Sequence, residues 1–363
     1  MDHMKRALEL ARQAIGTANP NPPVGAVVVK DGEIVGEGHT LPPGQGHAET
    51  VAIGRAGERA AGATLYATLE PCCVHGRVPP CVTAIMAAGI KRVHIGHMDV
   101  NPQVNGKGRA ALEAAGIECV LEPPGEELEE LYEIHAKYIT TGVPFVVAKF
   151  AMSLDGKIAT SSGDSRWITG PEARTRANGL RCVYDAVMVG VNTVVSDDPA
   201  LTARDTEGRP LERQPLRVIV DSRGTTPEDA KLFGEPGETL VAVAEPQKGR
   251  IGELRKAGAE IVEVPGQDGK VDIRDLLRVL AIREVTGVLV EGGGRLLGSL
   301  FDARLVDKVI VFIAPVVIGG GDAPSPVEGK GVSKMAQAMR LQRVRVERVG
   351  EDIMVTGYPS KGD

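Results

Sequence analysis

All seven histidines of this 363-residue chain, and four of its five cysteines, lie before residue 144. The remaining stretch keeps a single such side chain, Cys182. Nitrogen and sulfur donors are thus confined to one part, which points to two units with different chemistry. At about 150 residues per domain, the length allows two or three. The seam is expected near Thr140-Thr141-Gly142-Val143-Pro144, where a helical stretch stops at Gly before Pro. That gives domains 1–143 and 144–363.

Composition removes several classes. Charged residues are 25% and hydrophobic ones 42%, ordinary globular values. The net charge of -6 and pI near 5.8 argue against binding nucleic acid by bulk electrostatics. Aromatics at 3% are too few for a base-stacking platform. The longest apolar stretch, 309–318, is too short to span a bilayer. Met4, Ala7, Leu8, Ala11, Ala14 and Ile15 recur at helical spacing, so the N-terminus reads as an amphipathic helix rather than a signal peptide. The expectation is a cytoplasmic protein with no nucleic-acid or membrane partner, its cysteines reduced or metal-bound.

Both units alternate strand and helix. In the first, strands are expected at 24–29, 33–38, 64–69, 92–96 and 118–121, with an Asp31-Gly32 hairpin turn. Helices are expected at 47–61, 81–88, 109–115 and 128–139. This is an α/β sandwich in which an antiparallel hairpin leads into parallel strands. In the second, strands are expected at 145–152, 186–189, 217–221, 239–244, 260–264, 288–291 and 308–315, then a pair at 340–349 and 353–358. Helices are expected at 172–181, 252–257, 273–283 and 295–303. Segments 196–215 and 320–336 read as surface loops.

The strongest chemical signal is His47-Ala48-Glu49, then Pro71-Cys72, then Cys81 after eight residues. A His and two Cys holding zinc, with a non-ligand Glu moving protons, is the zinc-deaminase signature. His47 and Glu49 open one helix and Cys81 another, and helix N-termini favour thiolate. Three protein ligands leave a fourth position for water. The same residues allow a closed structural site built from Cys72, Cys73, His75 and Cys81, although Cys72 to Cys81 is wider than the usual C-x₂₋₄-C pair. His94, His97 and His135 read as surface or core residues. Cys119 and Cys182 read as small buried apolar ones.

Two glycine sites stand out in the second unit. Val288-Leu289-Val290-Glu291-Gly292-Gly293-Gly294-Arg295 is a strand, a glycine turn and a helix start. It fits a phosphate cradle and equally a tight turn. Leu297 excludes the G-x-G-x-x-G fingerprint. In Val187-Met188-Val189-Gly190-Val191-Asn192-Thr193 a strand again ends at Gly, and Asp197-Asp198-Pro199 reads as a turn.

The runs Asn19-Pro20-Asn21-Pro22-Pro23-Val24-Gly25, His47-Ala48-Glu49, Thr68-Leu69-Glu70-Pro71-Cys72, His75-Gly76-Arg77-Val78-Pro79-Pro80-Cys81 and Asp99-Val100-Asn101-Pro102 closely resemble the bifunctional riboflavin-biosynthesis deaminase/reductases of bacteria. The wide cysteine loop separates the chain from cytidine and tRNA adenosine deaminases. Lys149 through Gly156, Ser165-Arg166-Trp167-Ile168-Thr169, Asp221-Ser222 and both glycine sites match the reductase half, so the resemblance covers nearly the whole chain.

The resemblance implies a cytidine-deaminase-like α/β/α sandwich followed by a dihydrofolate-reductase-like α/β domain. It implies zinc on His47, Cys72 and Cys81, with Glu49 as proton shuttle. Asn21, Arg77 and Asp99 would line a pocket for a phosphorylated diamino-pyrimidine. NADPH would meet Ala151, Trp167, Thr193, Asp197, Ser222 and the run Gly293, Gly294, Arg295, Leu296, Leu297, Gly298 and Ser299. Substrate would meet Ser165, Arg181, Leu201, Arg204 and Glu291, with Arg181 and Arg204 suited to its phosphate. Reduction needs a proton, for which Lys149, Asp197 and Glu291 are candidates. A homodimer through the reductase units is also implied. One departure is plain: the family's Cys-Ser-His-His-Gly stands here as Cys72-Cys73-Val74-His75-Gly76. Cys73 is expected not to displace Cys72, and His75 to serve loop packing or an outer-shell contact.

Two other classes remain. One is a deaminase of nucleic-acid bases with a binding appendage, opposed by acidity and scarce aromatics. The other is a zinc-stabilised interaction protein, opposed by Glu49, which a structural site does not need.

Overall fold

A computed structural model describes residues 2–123, 125–205 and 207–360. The chain divides into two compact units, Met1–Val143 and Pro144–Asp363. Gly142 ends the last helix of the first unit with φ of 68°, a left-handed stop just before Pro144.

In the first unit α1 (His3–Gln13) precedes β1 (Gly25–Lys30), β2 (Glu33–His39), α2 (Ala48–Ala56), β3 (Thr64–Ala67), α3 (Cys81–Ala87), β4 (Arg92–Ile95), α4 (Lys107–Ala114), β5 (Glu118–Leu121) and α5 (Glu126–Thr141). The sheet order is β2-β1-β3-β4-β5. β1 is antiparallel to both β2 and β3, and β3, β4 and β5 are parallel. β1 shows the period-2 logic of a covered sheet. Val27 and Val29 pack with Ala7 and Leu10 of α1. Ala26 and Val28 pack with Ala48 and Ala52 of α2. The result is the expected three-layer sandwich.

Gly36 and Gly38 set how closely α2 lies on β2. A Cβ at Gly36 would stand 2.1 Å from the Ala52 carbonyl oxygen, and one at Gly38 2.4 Å from that of Ala48. Any side chain there would push away the helix that opens with His47 and Glu49.

The second unit holds one nine-stranded sheet. Its elements are β6 (Phe145–Ser153), α6 (Pro171–Leu180), β7 (Ala186–Gly190), α7 (Val191–Asp197), β8 (Leu216–Val220), β9 (Thr239–Val243), α8 (Arg250–Lys256), β10 (Ala259–Glu263), α9 (Ile273–Ile282), β11 (Gly287–Glu291), α10 (Gly294–Asp302), β12 (Lys308–Ala314), β13 (Leu341–Val349) and β14 (Asp352–Pro359). The order is β10-β9-β8-β7-β11-β6-β12-β14-β13. Pairing is parallel from β10 to β12 and antiparallel in the last three strands. The central strands are buried on both faces, which explains their unbroken Val, Ile and Ala runs. Ligand sites in such sheets form at the carboxyl ends of the strands. Here those ends carry Gly190, Glu291 and the residues just past Lys149.

One element was not expected. Residues 191–197, given no helix from sequence, form α7, and Asp197 of the expected turn closes it. Its Val191, Thr193, Val194 and Val195 are β-branched and disguise the helix. Gly190 opens it, and Asp198 ends it at φ of 41°. Segments 196–215 and 320–336 are mostly irregular, apart from residue 206, which lies outside the described residues. Among the described residues no helix is long and apolar enough to cross a membrane.

Candidate active sites

In the first unit His47 is the residue before α2, and its ring Nδ1 lies 3.3 Å from Cys81 Sγ and 3.6 Å from Cys72 Sγ. Cys81 opens α3, and its backbone N–H donates to Cys72 Sγ at 3.3 Å. The three donor atoms lie within 4.8 Å of one another. A tetrahedral ion with bonds of about 2.0–2.3 Å spaces its ligands by about 3.5 Å or slightly more. One imidazole and two thiols at these separations fit zinc.

The proton distribution agrees with that donor set. Cys72 is held well below the usual thiol range, first by its hydrogen bond from Cys81 and then by His47, while Cys81 is pushed well above it. Glu49 is 3% exposed. Burial, and then the Cys72 charge, push it up to about 7. A carboxyl poised near neutrality can both take and return a proton.

The loops are tied to this centre. Glu70 is buried, and its carboxylate accepts from the backbone N–H groups of Gly106 and Arg109 at 3.0 Å each. This fixes the start of α4 beside the Pro71-Cys72 turn. Cys73 does not join the three donors, and its thiol faces the Gln103 carbonyl at 3.7 Å. His75 is exposed and contacts the Gly76 carbonyl at 3.3 Å. Arg77 is exposed in the same loop, and Asn21 is half-buried in the loop before β1. Asp99 is buried, with Oδ1 accepting from the Asn101 N–H at 2.8 Å. His135 is not a surface residue. Its side chain is 9% exposed and faces Asp99. Helical spacing puts His135 and Tyr132 on one face of α5, but that pattern alone is indistinguishable from core packing.

In the second unit the parallel register pairs Glu291 of β11 with Lys149 of β6. Glu291 accepts from Arg181 Nε at 2.5 Å and Nη2 at 2.9 Å, and Lys149 Nζ stands 3.6 Å away. Burial alone would raise Glu291, but the two cations outweigh it and hold the carboxyl at about 2. The Arg181 fork is therefore engaged with protein, and it also donates to the Thr202 carbonyl. Arg204 bonds Thr202 Oγ1 at 2.8 Å and Glu235 at 3.1 Å. Leu201 between these segments is buried at φ of 52°, a conformation branched residues rarely adopt.

The glycine turn after β11 runs beside Glu328, whose Oε1 would stand 2.7 Å from a Cβ on Gly294. Gly292 and Gly293 have φ of 87° and 84°. A Cβ on Gly292 would meet nothing within 4 Å, while one on Gly293 would stand 3.3 Å from Thr193 Oγ1. Gly294, Arg295 and Leu296 form the first turn of α10, where N–H groups have no partner within the helix. Leu296 and Leu297 side chains are buried in the core, so only their backbone can face a ligand. Gly298 packs against the Glu328 carbonyl, and Ser299 Oγ bonds the Arg295 carbonyl. Trp167 is 72% exposed, with the Arg174 guanidinium 4.5 Å over its ring. Ala151 is half-buried on β6, and Ser165 Oγ donates to Asp197 at 3.4 Å. Ser222 Oγ accepts from the Val271 N–H at 3.1 Å, leaving its own hydrogen to donate. Cys119 and Cys182 are half-buried, not fully buried as expected.

A model of the RibD C-terminal domain matches residues 144–355, and one of the cytidine and deoxycytidylate deaminase zinc-binding region matches residues 1–97. The riboflavin biosynthesis protein RibD of Actinobacillus pleuropneumoniae is 42% identical over 357 residues, covering 98% of this chain and 94% of that protein. RibD of Escherichia coli is 40% identical over 363 residues, covering 97% of each. Among solved structures, Acinetobacter baumannii RibD superposes with a TM-score of 0.88 at 36% identity, covering 99% of this chain and 98% of that one. The Thermotoga maritima diaminohydroxyphosphoribosylaminopyrimidine deaminase/5-amino-6-(5-phosphoribosylamino)uracil reductase does so with a TM-score of 0.83 at 37% identity, with the same coverage.

Proposed function

Because the chain belongs to the RibD family of riboflavin-biosynthesis deaminase/reductases, we propose how its own residues divide the two reactions. It is a bifunctional enzyme with a zinc-dependent deaminase and an NADPH-dependent reductase. The proposed substrate is a diaminohydroxyphosphoribosylaminopyrimidine, the compound named for the Thermotoga relative. The observation that carries the reading is buried Glu49 beside the His47, Cys72 and Cys81 donors.

His47, Cys72 and Cys81 would hold zinc, which would supply the Lewis acidity to activate water near neutral pH. Glu49 takes the water's proton and returns it to the departing amino group, which leaves as ammonia. Asn21 and Asp99 orient the pyrimidine, and Arg77 offsets the phosphate charge. Thr193, Asp197, Ser222 and residues 293–299 would hold NADPH, which would supply the hydride for reducing the ribosyl chain to ribityl. Lys149, whose Nζ stands 3.6 Å from Glu291, is taken as the proton donor: two cations hold Glu291 ionised, and Asp197 is assigned to the cofactor side. Arg181, anchored by Glu291, and Arg204, anchored by Glu235, are both assigned to the substrate and suit its phosphate. Ser165 and Leu201 border the same pocket. Thr193, Asp197, Trp167, Ala151, Ser222 and residues 293–299 form the cofactor side. The net charge of -6 supports a small-molecule enzyme over one acting on nucleic acid. The same reading takes it as a cytoplasmic homodimer joined through residues 144–363.

The test is direct. The zinc-loaded chain is expected to release ammonia from the diaminopyrimidine phosphate and then oxidise NADPH on the product. Release from RNA alone would favour the nucleic-acid reading. A second test concerns Ser222, two residues past β8, which we assign to the 2′-phosphate that distinguishes NADPH from NADH. Ser222→Glu is expected to weaken NADPH at least about tenfold more than NADH, through like-charge repulsion. Equal losses in titrations of both cofactors would move the 2′-phosphate elsewhere.

A further inference from the structure

We propose that His135 of α5 is a positioning residue for deamination: its Nε2–H holds the Asp99 carboxylate in the orientation that meets the amino groups of the pyrimidine. The proposal rests on the reading that Asp99 lines the deaminase pocket.

His135 Nε2 lies 3.3 Å from Asp99 Oδ1, and both side chains are more than nine-tenths buried. A carboxylate only accepts, so the nitrogen facing it carries the hydrogen. The other ring nitrogen, Nδ1, is buried and has no hydrogen-bond partner. The Nε2–H edge is therefore the side of the ring that acts, and it acts on Asp99. The backbone N–H of Asn101 also donates to Oδ1 at 2.8 Å. Both donors take the same oxygen, so Oδ2 is the one left for the substrate.

The same helix also reaches the start of β1. Tyr132, three residues earlier, is 2% exposed and donates to Thr68 Oγ1 at 2.6 Å. Thr68 Oγ1 also accepts from the Gly25 N–H at 3.0 Å. Gly25 ends the loop that carries Asn21. One face of α5 therefore ties down both segments assigned to the pyrimidine, Asn21 through Tyr132 and Asp99 through His135. A helix serving only to cover the sheet would bury apolar side chains at these two positions, without polar groups that must be matched.

The experiment uses the full-length, zinc-loaded protein. His135→Leu is expected to raise the deamination KM about tenfold, the loss of one hydrogen bond to a charged group, with kcat within about twofold. Zinc stays at one per chain. His135→Gln, which returns an N–H at the Nε2 position, recovers most of the KM. In combination with Asp99→Asn, His135→Leu adds little beyond the single change, because both act on one contact. Should the Leu variant not fold, His135→Phe keeps the ring and carries the same expectation. An unchanged KM in the Leu or Phe variant, with Asp99→Asn raising it, overturns the role of His135. So does a Gln variant as impaired as Leu. If Asp99→Asn itself leaves KM unchanged, the pocket reading of Asp99 is what fails, and the proposal fails with it.

Discussion

Glu49→Gln is expected to keep one zinc per chain while losing deamination by at least about 10²-fold, the usual scale for removing a general acid/base. Gln has nearly the shape of Glu and cannot carry a proton between water and ammonia. Zinc should stay because Glu49 is not among the three converging donors, which are His47, Cys72 and Cys81. The loss should be large because the site makes Glu49 unusually fit for its task. Burial, reinforced by the Cys72 charge, brings it up to about 7, where proton uptake and release are nearly balanced at neutral pH. Reduction of the already deaminated product should continue, since the groups assigned to it lie in residues 144–363. Metal analysis beside ammonia and NADPH assays reads all three quantities. Loss of zinc in this variant would make Glu49 a ligand and undo the assignment of its role.

Much of the scaffold is written locally. Asp31-Gly32 between two β-branched runs makes the β1–β2 turn, with Asp31 at φ of 51° and Gly32 at 82°. Buried strands of the second unit announce themselves as apolar runs, and glycines mark where β7 and β11 end. The donors of the metal centre are legible because their spacing is chemical as well as structural. Sequence spacing fails where partners are remote. Arg181 and Glu291 are 110 residues apart, so nothing local says that the arginine's fork is taken by a carboxylate. Residue type suits Arg181 to phosphate, and only the structure adds that Glu291 pairs with it. His135 and Asp99 are separated by 36 residues and fail to announce each other for the same reason. α7 escaped because valines and threonine prefer strands when packing is unknown, and tertiary context overrides so weak a preference.

Cys72→Ser and Cys73→Ser should part company completely, although the residues are neighbours. Cys72 Sγ lies 3.6 Å from His47 Nδ1 and receives the Cys81 N–H, so it sits at the centre of the donor set. Cys73 Sγ faces the Gln103 carbonyl at 3.7 Å instead. A hydroxyl at position 72 is a poor replacement for a soft thiolate, since it does not ionise near neutral pH. Two remaining ligands cannot hold zinc as three do. Changing an outer-shell contact already costs about 10–100-fold in metal affinity, so losing a ligand is expected to exceed about 10²-fold and to abolish ammonia release. Cys73→Ser restores the serine common in the family, and its hydroxyl can donate to the same carbonyl. One zinc and near-normal deamination should remain. Zinc content and ammonia release, measured on both variants side by side, decide the matter. If the two behave alike, the cysteines share the metal, and the donor set read from the three converging atoms is wrong.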